Sequence, residues 1–389
     1  MQLLIRFNLY FMKILVSGDF YPVRRAEKIM REGNYNYLLG EIKSYIENAD
    51  YSIVNYESTF YGDKEEISKF GPNMATDEQS VDLAKWCGFN CFTLGNNHVH
   101  DYGDKGLKDM LSYISKVGID AVGAGMNLDD AGLTLYKEIC GEKVSFINCC
   151  EHEFNIANEN HGGANPLNVV RQFYEIIEAK KNAKYVIVIV HGGSINCQLP
   201  SPRMQEQYRF FVDCGADAVI NHHQHCFSGY EYYHGAPILY GLGNLFFDKP
   251  WLKNTTWTDG FMTNLCLVEG KFVVEIIPYT QCAEEARVII KKDEDREKFE
   301  KKISELNKII ANPDNLKQEY YRWVDDNEQQ CIDAMNVWHV VNNKYIKALA
   351  YRHWLPPITS DSIYLLNYLY CEAHLDRLLR YMKKKFNVQ

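Results

Sequence analysis

Several features that would define a function class are missing from this chain. Its 389 residues include 12 cysteines, but no two have the Cys-x-x-Cys spacing of a zinc knuckle or a redox motif. No apolar run approaches the ~18 residues of a membrane-spanning helix. Lys and Arg number 42 against 51 Asp and Glu, so the chain lacks the positive excess that holds nucleic acid. We therefore predict a globular protein with no nucleic-acid partner and no integral membrane segment.

The N-terminus and the cysteines together indicate a compartment. The first twelve residues are apolar, with one early basic residue and no small-residue cleavage site, so they do not resemble a signal peptide. Many cysteines without a pattern are typical of a reducing environment. We expect a cytoplasmic protein in which most cysteines pack as small hydrophobic residues.

From Met12 to about Cys282, short apolar runs alternate with amphipathic segments, which is typical of an α/β domain. Strands follow strands toward the end of this region, so the sheet is expected to be mixed. The predicted strands are Lys13–Ser17, Ser52–Asn55, Cys91–Leu94, Val144–Cys149, Tyr185–Val190, Ala218–Asn221, Ile238–Tyr240, Met262–Val268 and Lys271–Pro278. The predicted helices between them are Tyr37–Asn48, Glu78–Cys87, Lys105–Val117, Pro166–Lys181 and Met204–Cys214.

After Cys282 the sequence becomes charge-dense, with apolar residues at helical spacing. The predicted helices are Lys291–Lys308, Asn327–Arg352 and Asp361–Lys385. We therefore divide the chain into an α/β domain over residues 12–282 and an α-helical region over residues 283–389. The C-terminal helices are also a candidate homodimer contact.

Polar residues stand at the carboxyl ends of the first three of these strands, where open α/β sheets bind ligands. Asp19 follows the first strand, Glu57 the second, and the turn from Asn97 through His98 to Asp101 the third. Turn formation, a solvated strand end and helix capping are the structural alternatives. Capping explains Asn97 and Asp101 but leaves His98 without a role.

Histidines follow the later strands, and nine of the chain's twelve lie between His98 and His234. His191 ends a very apolar run and precedes two glycines, while His223 and His225 lie two residues apart. Neutral imidazole, amide and carboxylate groups suit manganese, iron or zinc. Two such cations about 3.5–4 Å apart form a hydrolytic centre. A core histidine, an incidental cluster or a Cys226 nucleophile are the weaker interpretations.

The order of these elements resembles the CapA family, the poly-γ-glutamate and capsule synthesis group of the calcineurin-like metallophosphatase superfamily. The resemblance runs from about Lys13 to Pro278 and is most specific in the Asn-Asn-His and His-His-x-His elements. The matching elements are Gly18-Asp19, Asn55-x-Glu57, Gly95-Asn96-Asn97-His98-x-x-Asp101-x-Gly103, His191-x-Gly193, Gly215-Ala216-Asp217-x-Val219-Ile220-Asn221-His222-His223-x-His225 and Gly241-Leu242-Gly243-Asn244-Leu245-Phe246.

The resemblance implies a four-layer α/β/β/α sandwich with a C-terminal helical extension and one or two divalent metal ions. His98 would be the general acid or transition-state stabiliser, oriented by Asp101. The implied metal ligands are Asp19, Glu57, Asn97, His191, His223 and His225, with Glu57 bridging both ions.

The chain also departs from the superfamily pattern. The usual Asp-x-His is Asp19-Phe20-Tyr21 here, so the first metal lacks one nitrogen ligand. Residues expected on the substrate side are Arg203, whose guanidinium suits an anion, and His152, Glu153 and His222.

Two functions follow from the sequence. The first is a metal-dependent hydrolase that acts on a phosphoester or on an amide of a polyanionic polymer such as poly-γ-glutamate. The alternative is a non-catalytic accessory of capsule synthesis or export that binds polymer or a partner. The fold does not decide between them.

Overall fold

A computed structural model describes residues 11–253, 255–329, 331, 343–352, 354 and 362–386. The first ten residues lie outside these ranges, as do residue 330 and residues 332–342 of the predicted helix Asn327–Arg352. Within them, no helix has the length and apolar character that crossing a membrane requires. All twelve cysteines are free thiols, and ten of them are buried.

The strands in these ranges include a counterpart of every strand predicted from the sequence. They are β1 (Lys13–Tyr21), β2 (Tyr51–Tyr56), β3 (Thr59–Phe60), β4 (Ala75–Thr76), β5 (Cys91–Thr93), β6 (Asp120–Val122), β7 (Ala124–Gly125), β8 (Leu135–Ile139), β9 (Glu142–Cys150), β10 (Gly163–Ala164), β11 (Tyr185–His191), β12 (Ala218–His222), β13 (Tyr230–Tyr233), β14 (Ala236–Leu239), β15 (Asn244–Phe247), β16 (Asp259–Val268), β17 (Lys271–Gln281) and β18 (Val288–Ile290).

The helices include some that the sequence pattern missed, among them one after β1 and one after residue 312. They are α1 (Arg25–Arg31), α2 (Tyr35–Glu47), α3 (Glu78–Cys87), α4 (Gly103–Val117), α5 (Leu128–Ala131), α6 (Val169–Asn182), α7 (Pro202–Asp213), α8 (Asp293–Ile310), α9 (Pro313–Asp326), α10 (Lys344–Tyr351), α11 (Ser362–Tyr370) and α12 (Glu372–Phe386).

Two mixed sheets contain most of the strands. The first has the order β18-β17-β16-β1-β2-β5-β6, with β15 also paired to β1, and the second has the order β13-β14-β12-β11-β9-β8. Parallel strands β1, β2, β5 and β6 form one half of the first sheet. Strands β9, β11, β12 and β14 form the parallel centre of the second. The predicted mixed sheet is therefore confirmed.

Alternating side chains on the central strands build three apolar layers, because successive residues of a strand face opposite sides. One layer lies between the sheets and includes Ile14, Val16, Ile53, Ile187, Ile189 and Ile220. Outside the first sheet, Leu15, Val54 and Phe92 pack with Leu38, Ile42, Val81, Leu107 and Met110 of the helices. Outside the second sheet, Val186, Val188 and Val190 pack with Ile176, Tyr208 and Phe211. The predicted α/β/β/α sandwich is confirmed.

The C-terminal helices pack against this sandwich. Phe299 of α8 contacts Phe227, with ring centroids 4.5 Å apart. Tyr320 of α9 packs with Cys197, and α12 is joined to α9 by the Arg380–Asp325 ion pair at 2.8 Å. A helical extension is therefore present, while the boundary between residues 282 and 283 stays a prediction.

A close approach of two backbones sets the end of β1. A Cβ atom on Gly18 would lie 1.8 Å from the carbonyl oxygen of Gly243, so only glycine fits there. The next amide, that of Asp19, donates to the same carbonyl at 3.2 Å. This contact places the Asp19 carboxylate beside Asn244.

We predict that Gly18→Ala lowers the free energy of unfolding by at least about 2 kcal/mol, because the added methyl group overpacks a fixed backbone. Urea denaturation measures the change. Gly40→Ala in α2 is the matched control, because its Cβ would meet only the exposed side chain of Asn36 and helix propensity favours alanine by about 0.5–1 kcal/mol. Equal stability of the two variants would contradict the close approach.

Candidate metal centre

The six predicted metal ligands converge on one buried site. They come from the carboxyl ends of strands in both sheets: Asp19 from β1, Glu57 after β2, His191 from β11 and the histidines after β12. All six are buried. The sandwich therefore brings together residues that span more than 200 positions of the chain. The complete set is Asp19, Glu57, Asn97, His191, His223 and His225.

The first ligand group consists of Asp19, Glu57 and His225, each offering one atom within 4.8 Å of the others. The His225 Nδ1 atom lies 3.3 Å from Asp19 Oδ2, and its Nε2 atom lies 3.6 Å from Glu57 Oε1. Tyr21, which stands where a further ligand is usual, packs instead against Phe247 with ring centroids 5.0 Å apart. This group therefore contains three of the predicted ligands.

The second ligand group consists of Glu57, His191 and His223, also within 4.8 Å. The Nε2 atom of His191 lies 3.0 Å from Asn97 Oδ1, 3.0 Å from His223 Nδ1 and 3.8 Å from Glu57 Oε1. Glu57 belongs to both groups, as a bridging carboxylate requires.

The surroundings of Glu57 test whether the site fits divalent cations. Both of its carboxylate oxygens are buried and accept no hydrogen bond from any residue the structure describes. Burial raises the pKa of Glu57 well above its usual value, and the neighbouring Asp19 adds to the effect. Burial also lowers the pKa values of His191 and His225, which keeps these rings neutral. Unpaired buried carboxylates next to neutral imidazoles are a donor set that fits metal ions.

Two backbone distortions turn the histidines after β12 toward this site. His223 and His225 have φ angles of 94° and 54°, in the left-handed region that residues with a Cβ rarely adopt. Such strain is concentrated at functional sites. Their ring centroids lie 6.0 Å apart. A regular strand would also place residues two positions apart on the same face.

Two asparagines orient the ligands. The Asn55 amide donates to Asp19 Oδ1 at 2.8 Å. The Oδ1 atom of Asn244 lies 2.8 Å from His225 Nδ1, so it fixes the ring and leaves Nε2 toward Glu57. Asn244 lies in the Gly-Leu-Gly-Asn element that supported the family resemblance, but the sequence alone gave it no role. Such second contacts commonly tune metal affinity.

His98 and Asp101 form a buried pair beside the second group. The His98 Nδ1 atom lies 2.6 Å from Asp101 Oδ2, and Nε2 lies 3.9 Å from Glu57 Oε1. Burial and the adjacent Lys69 ammonium lower the pKa of His98 to about 4. Burial opposes ionisation of Asp101, but His98 and Lys69 outweigh it and the pKa of Asp101 is lowered.

Lys69 is a member of this site that sequence reasoning missed. Its ammonium contacts Asp101 Oδ1 and donates to the carbonyl oxygen of Asn97 at 3.2 Å. Lys69 lies in an irregular segment between β3 and β4, where no periodic pattern predicts which way a side chain faces.

The four residues expected on the substrate side have different surroundings. Glu153 accepts from the Asn97 amide at 2.7 Å and lines a cavity next to the ligand groups. Arg203 and His152 are paired with carboxylates of α12. His222 is fully buried, with Nδ1 3.8 Å from Asp19 Oδ1 and no hydrogen bond from either ring nitrogen among the described residues. Substrate contact by these four residues stays a prediction, and only Glu153 is placed on the cavity wall.

The cavity has a volume of about 470 Å³, within the range of small-molecule sites. Asn97, His98 and His225 form its floor, and side chains of α11 and α12 form part of its wall. Three of the residues predicted from the sequence as catalytic or metal-ligating are therefore accessible from one cavity.

A family model described as bacterial capsule synthesis protein PGA_cap matches residues 13–249. The chain is 30% identical over 271 residues to the capsule biosynthesis protein CapA of Bacillus anthracis, covering 67% of this chain and 65% of that protein. It is 31% identical over 245 residues to the PGA biosynthesis protein CapA of Bacillus subtilis (strain 168), covering 61% and 63% respectively. The chain thus spans just under two thirds of the length of these relatives.

Among solved structures, a 5'-nucleotidase precursor from Thermus thermophilus matches with a TM-score of 0.42 at 10% identity. The match covers 72% of this chain and 54% of that chain.

The sharing of Glu57 leads to a graded prediction for metal content. Glu57→Gln should reduce the ions bound in both groups, whereas His191→Ala and His225→Ala should each deplete one group. Mass spectrometry of manganese-loaded, desalted protein measures the count. His234→Ala, at a largely exposed histidine outside both groups, should match the wild type. A Glu57→Gln variant with unchanged metal content would contradict the assignment.

Proposed function

The chain belongs to the bacterial capsule synthesis protein family PGA_cap, and on this premise we propose that it is a metal-dependent hydrolase of an anionic substrate. The substrate is a phosphoester or an amide of a polymer such as poly-γ-glutamate, in the context of capsule or polymer synthesis or turnover. The observation that carries the proposal is the buried Glu57 carboxylate, which belongs to two ligand groups and has no hydrogen-bond partner in the described chain.

The first group, Asp19, Glu57 and His225, and the second, Glu57, Asn97, His191 and His223, would hold one divalent cation each. Bound there, such ions supply a Lewis acid for a phosphoryl or acyl oxygen and lower the pKa of water. Manganese, iron and zinc all suit these donors.

His98 is the residue placed to exchange a proton with the reacting groups. Asp101 holds its Nδ1 side at 2.6 Å, so the Nε2 side faces the ligand groups. Lys69 fixes the Asp101 carboxylate and thereby the ring. A ring held in one orientation can accept a proton at Nε2 and pass it to a leaving oxygen or nitrogen without reorganisation.

The family supports the choice of an anionic polymer. The matched relatives are named for capsule and PGA biosynthesis, and a polyanion needs a site in which carboxylates are compensated by cations. Hydrolysis of a phosphoester would use the same geometry, so both substrates belong to the proposal.

A specific observation favours a second candidate, a non-catalytic accessory that binds polymer or a partner. The first ligand group lacks the histidine that is usual at the position of Tyr21. Tyr21 packs instead in an apolar cluster with Met74, Phe247 and Trp257. The Lys383–Lys385 segment of α12 is exposed and basic, which suits contact with an anionic chain.

We predict that the manganese-loaded protein hydrolyses p-nitrophenyl phosphate or poly-γ-glutamate, and that His98→Asn lowers kcat by about 10²–10⁴-fold through loss of proton transfer. Steady-state kinetics measures this loss. His100→Asn is the control, since His100 pairs with Asp104 at the surface. Equal activity of wild type and His98→Asn would reject the role of His98. An inactive, metal-loaded wild type would favour the accessory function.

A further inference from the structure

The C-terminal hairpin, defined as residues 362–386 of α11 and α12, lies against the metal centre. Two ion pairs fasten it: His152 Nδ1 to Glu372 Oε1 at 2.6 Å, and Arg203 Nε to Asp376 Oδ2 at 2.8 Å. The ring of Tyr364 also contacts Phe70, with centroids 4.1 Å apart. The family match ends at residue 249, so this hairpin lies outside the matched segment.

These fastening contacts are partly shielded from solvent. Each side chain of the two ion pairs is only 21–22% exposed. Arg203 also binds the buried Glu151 at 2.6 Å, and Ser201 donates to Asp376 at 3.0 Å. Shielded and networked pairs hold a position better than the exposed pairs typical of protein surfaces.

The hairpin forms one wall of the cavity above the ligand groups. Its side chains line the same cavity as Asn97, His98 and His225. A cavity of about 470 Å³ that the hairpin bounds on one side has the size of a small molecule or of the terminus of a chain. The hairpin residues that line the cavity are Tyr364, Asn367, Tyr368, His374 and Arg377.

Lys249 is a cation of the cavity wall whose electrostatic partner is the Glu57 carboxylate. Its ammonium lies 4.0 Å from the ring of Trp257 and 4.8 Å from that of Phe247. Its ammonium makes no hydrogen bond and no close ion pair with any residue in the described part of the chain, so its interaction with Glu57 acts at longer range. Trp257 in turn packs on the ligand His225, with ring centroids 4.6 Å apart. Lys69, by contrast, is bound to Asp101.

We propose that the C-terminal hairpin encloses the metal centre as a cavity for a small anion or the end of an anionic chain, and that Lys249 binds its anionic group. The proposal rests on the proposed function and specifies its substrate class. Phosphate and carboxylate share the required chemistry, namely an oxyanion that reaches the ammonium of Lys249 while the metal centre lies below it.

Binding of two small probes tests Lys249 without requiring turnover. Isothermal titration calorimetry of the manganese-loaded protein with inorganic phosphate and with γ-glutamyl-glutamate gives the two dissociation constants. Lys249→Met, which keeps the apolar stem over Trp257, should weaken at least one by about tenfold, the effect of losing one charge-assisted contact. Lys253→Met is the control, because Lys253 pairs with Glu284 outside the cavity.

Each outcome of this titration either supports or overturns the role of Lys249 in binding an anionic group. Weakening of phosphate alone identifies a phosphoryl ligand, and weakening of the dipeptide alone identifies a carboxylate chain end. Unchanged constants for both probes, or a wild type that binds neither, overturn the proposal. Hydrolysis does not enter the measurement, so an inactive wild type would reject the proposed function while leaving this test valid.

Varying the length of the polymer tests whether the C-terminal hairpin restricts binding to chain ends. Wild-type affinity for poly-γ-glutamate per unit mass should fall as the polymer lengthens, because only ends bind. The double variant Glu372→Gln, Asp376→Asn should lose this dependence, because the wall is released. Glu300→Gln, at an exposed ion pair of α8, should keep it. Wild-type affinity per unit mass that is independent of length, or an unchanged length dependence in the double variant, would overturn the enclosed cavity.

Discussion

The constraint on which this structure depends is the burial of the Glu57 carboxylate without a hydrogen-bond donor in the described chain. An uncompensated buried carboxylate costs several kcal/mol, and Asp19 nearby adds repulsion. The surrounding imidazoles do not neutralise it, because burial lowers the pKa values of His191 and His225. Lys249 and Lys69 offset part of the Glu57 charge, and divalent cations are the further positive charge that this donor set fits.

The sandwich makes this arrangement possible because strand ends from two sheets meet over one interior. Each sheet alone would expose its polar strand ends to water, where a carboxylate has no need of a metal. The β1 contact at Gly18 and the distorted backbone after β12 then fix the positions of Asp19, His223 and His225 within the site. Fold and site are thus linked through backbone packing rather than through the ligands alone.

The predicted ligands could be selected from the sequence because each follows an apolar run that is itself easy to recognise. Asp19, Glu57 and His191 end strands whose hydrophobic patterns were predicted correctly. Lys69 could not be found in this way, since it lies in an irregular segment. The contact of α12 with the α/β domain could not be predicted from the sequence either. Glu372 pairs with a residue 220 positions away, and Asp376 with one 173 away, so neither pair leaves a local pattern.

The distribution of charge around the site explains how an acidic chain could bind an anion. A net charge of −9 appears unfavourable for a protein that handles anions, but a ligand responds to the field inside the cavity rather than to the total. Two of the negative charges, on Asp19 and Glu57, are the ones that cations would offset. Lys69 offsets the charge on Asp101, Lys249 interacts with Glu57 at longer range, and Glu153 adds a further carboxylate to the cavity wall. With cations bound, the cavity lining beside His98 would become more positive within an acidic protein, and this change would favour the approach of an anionic group.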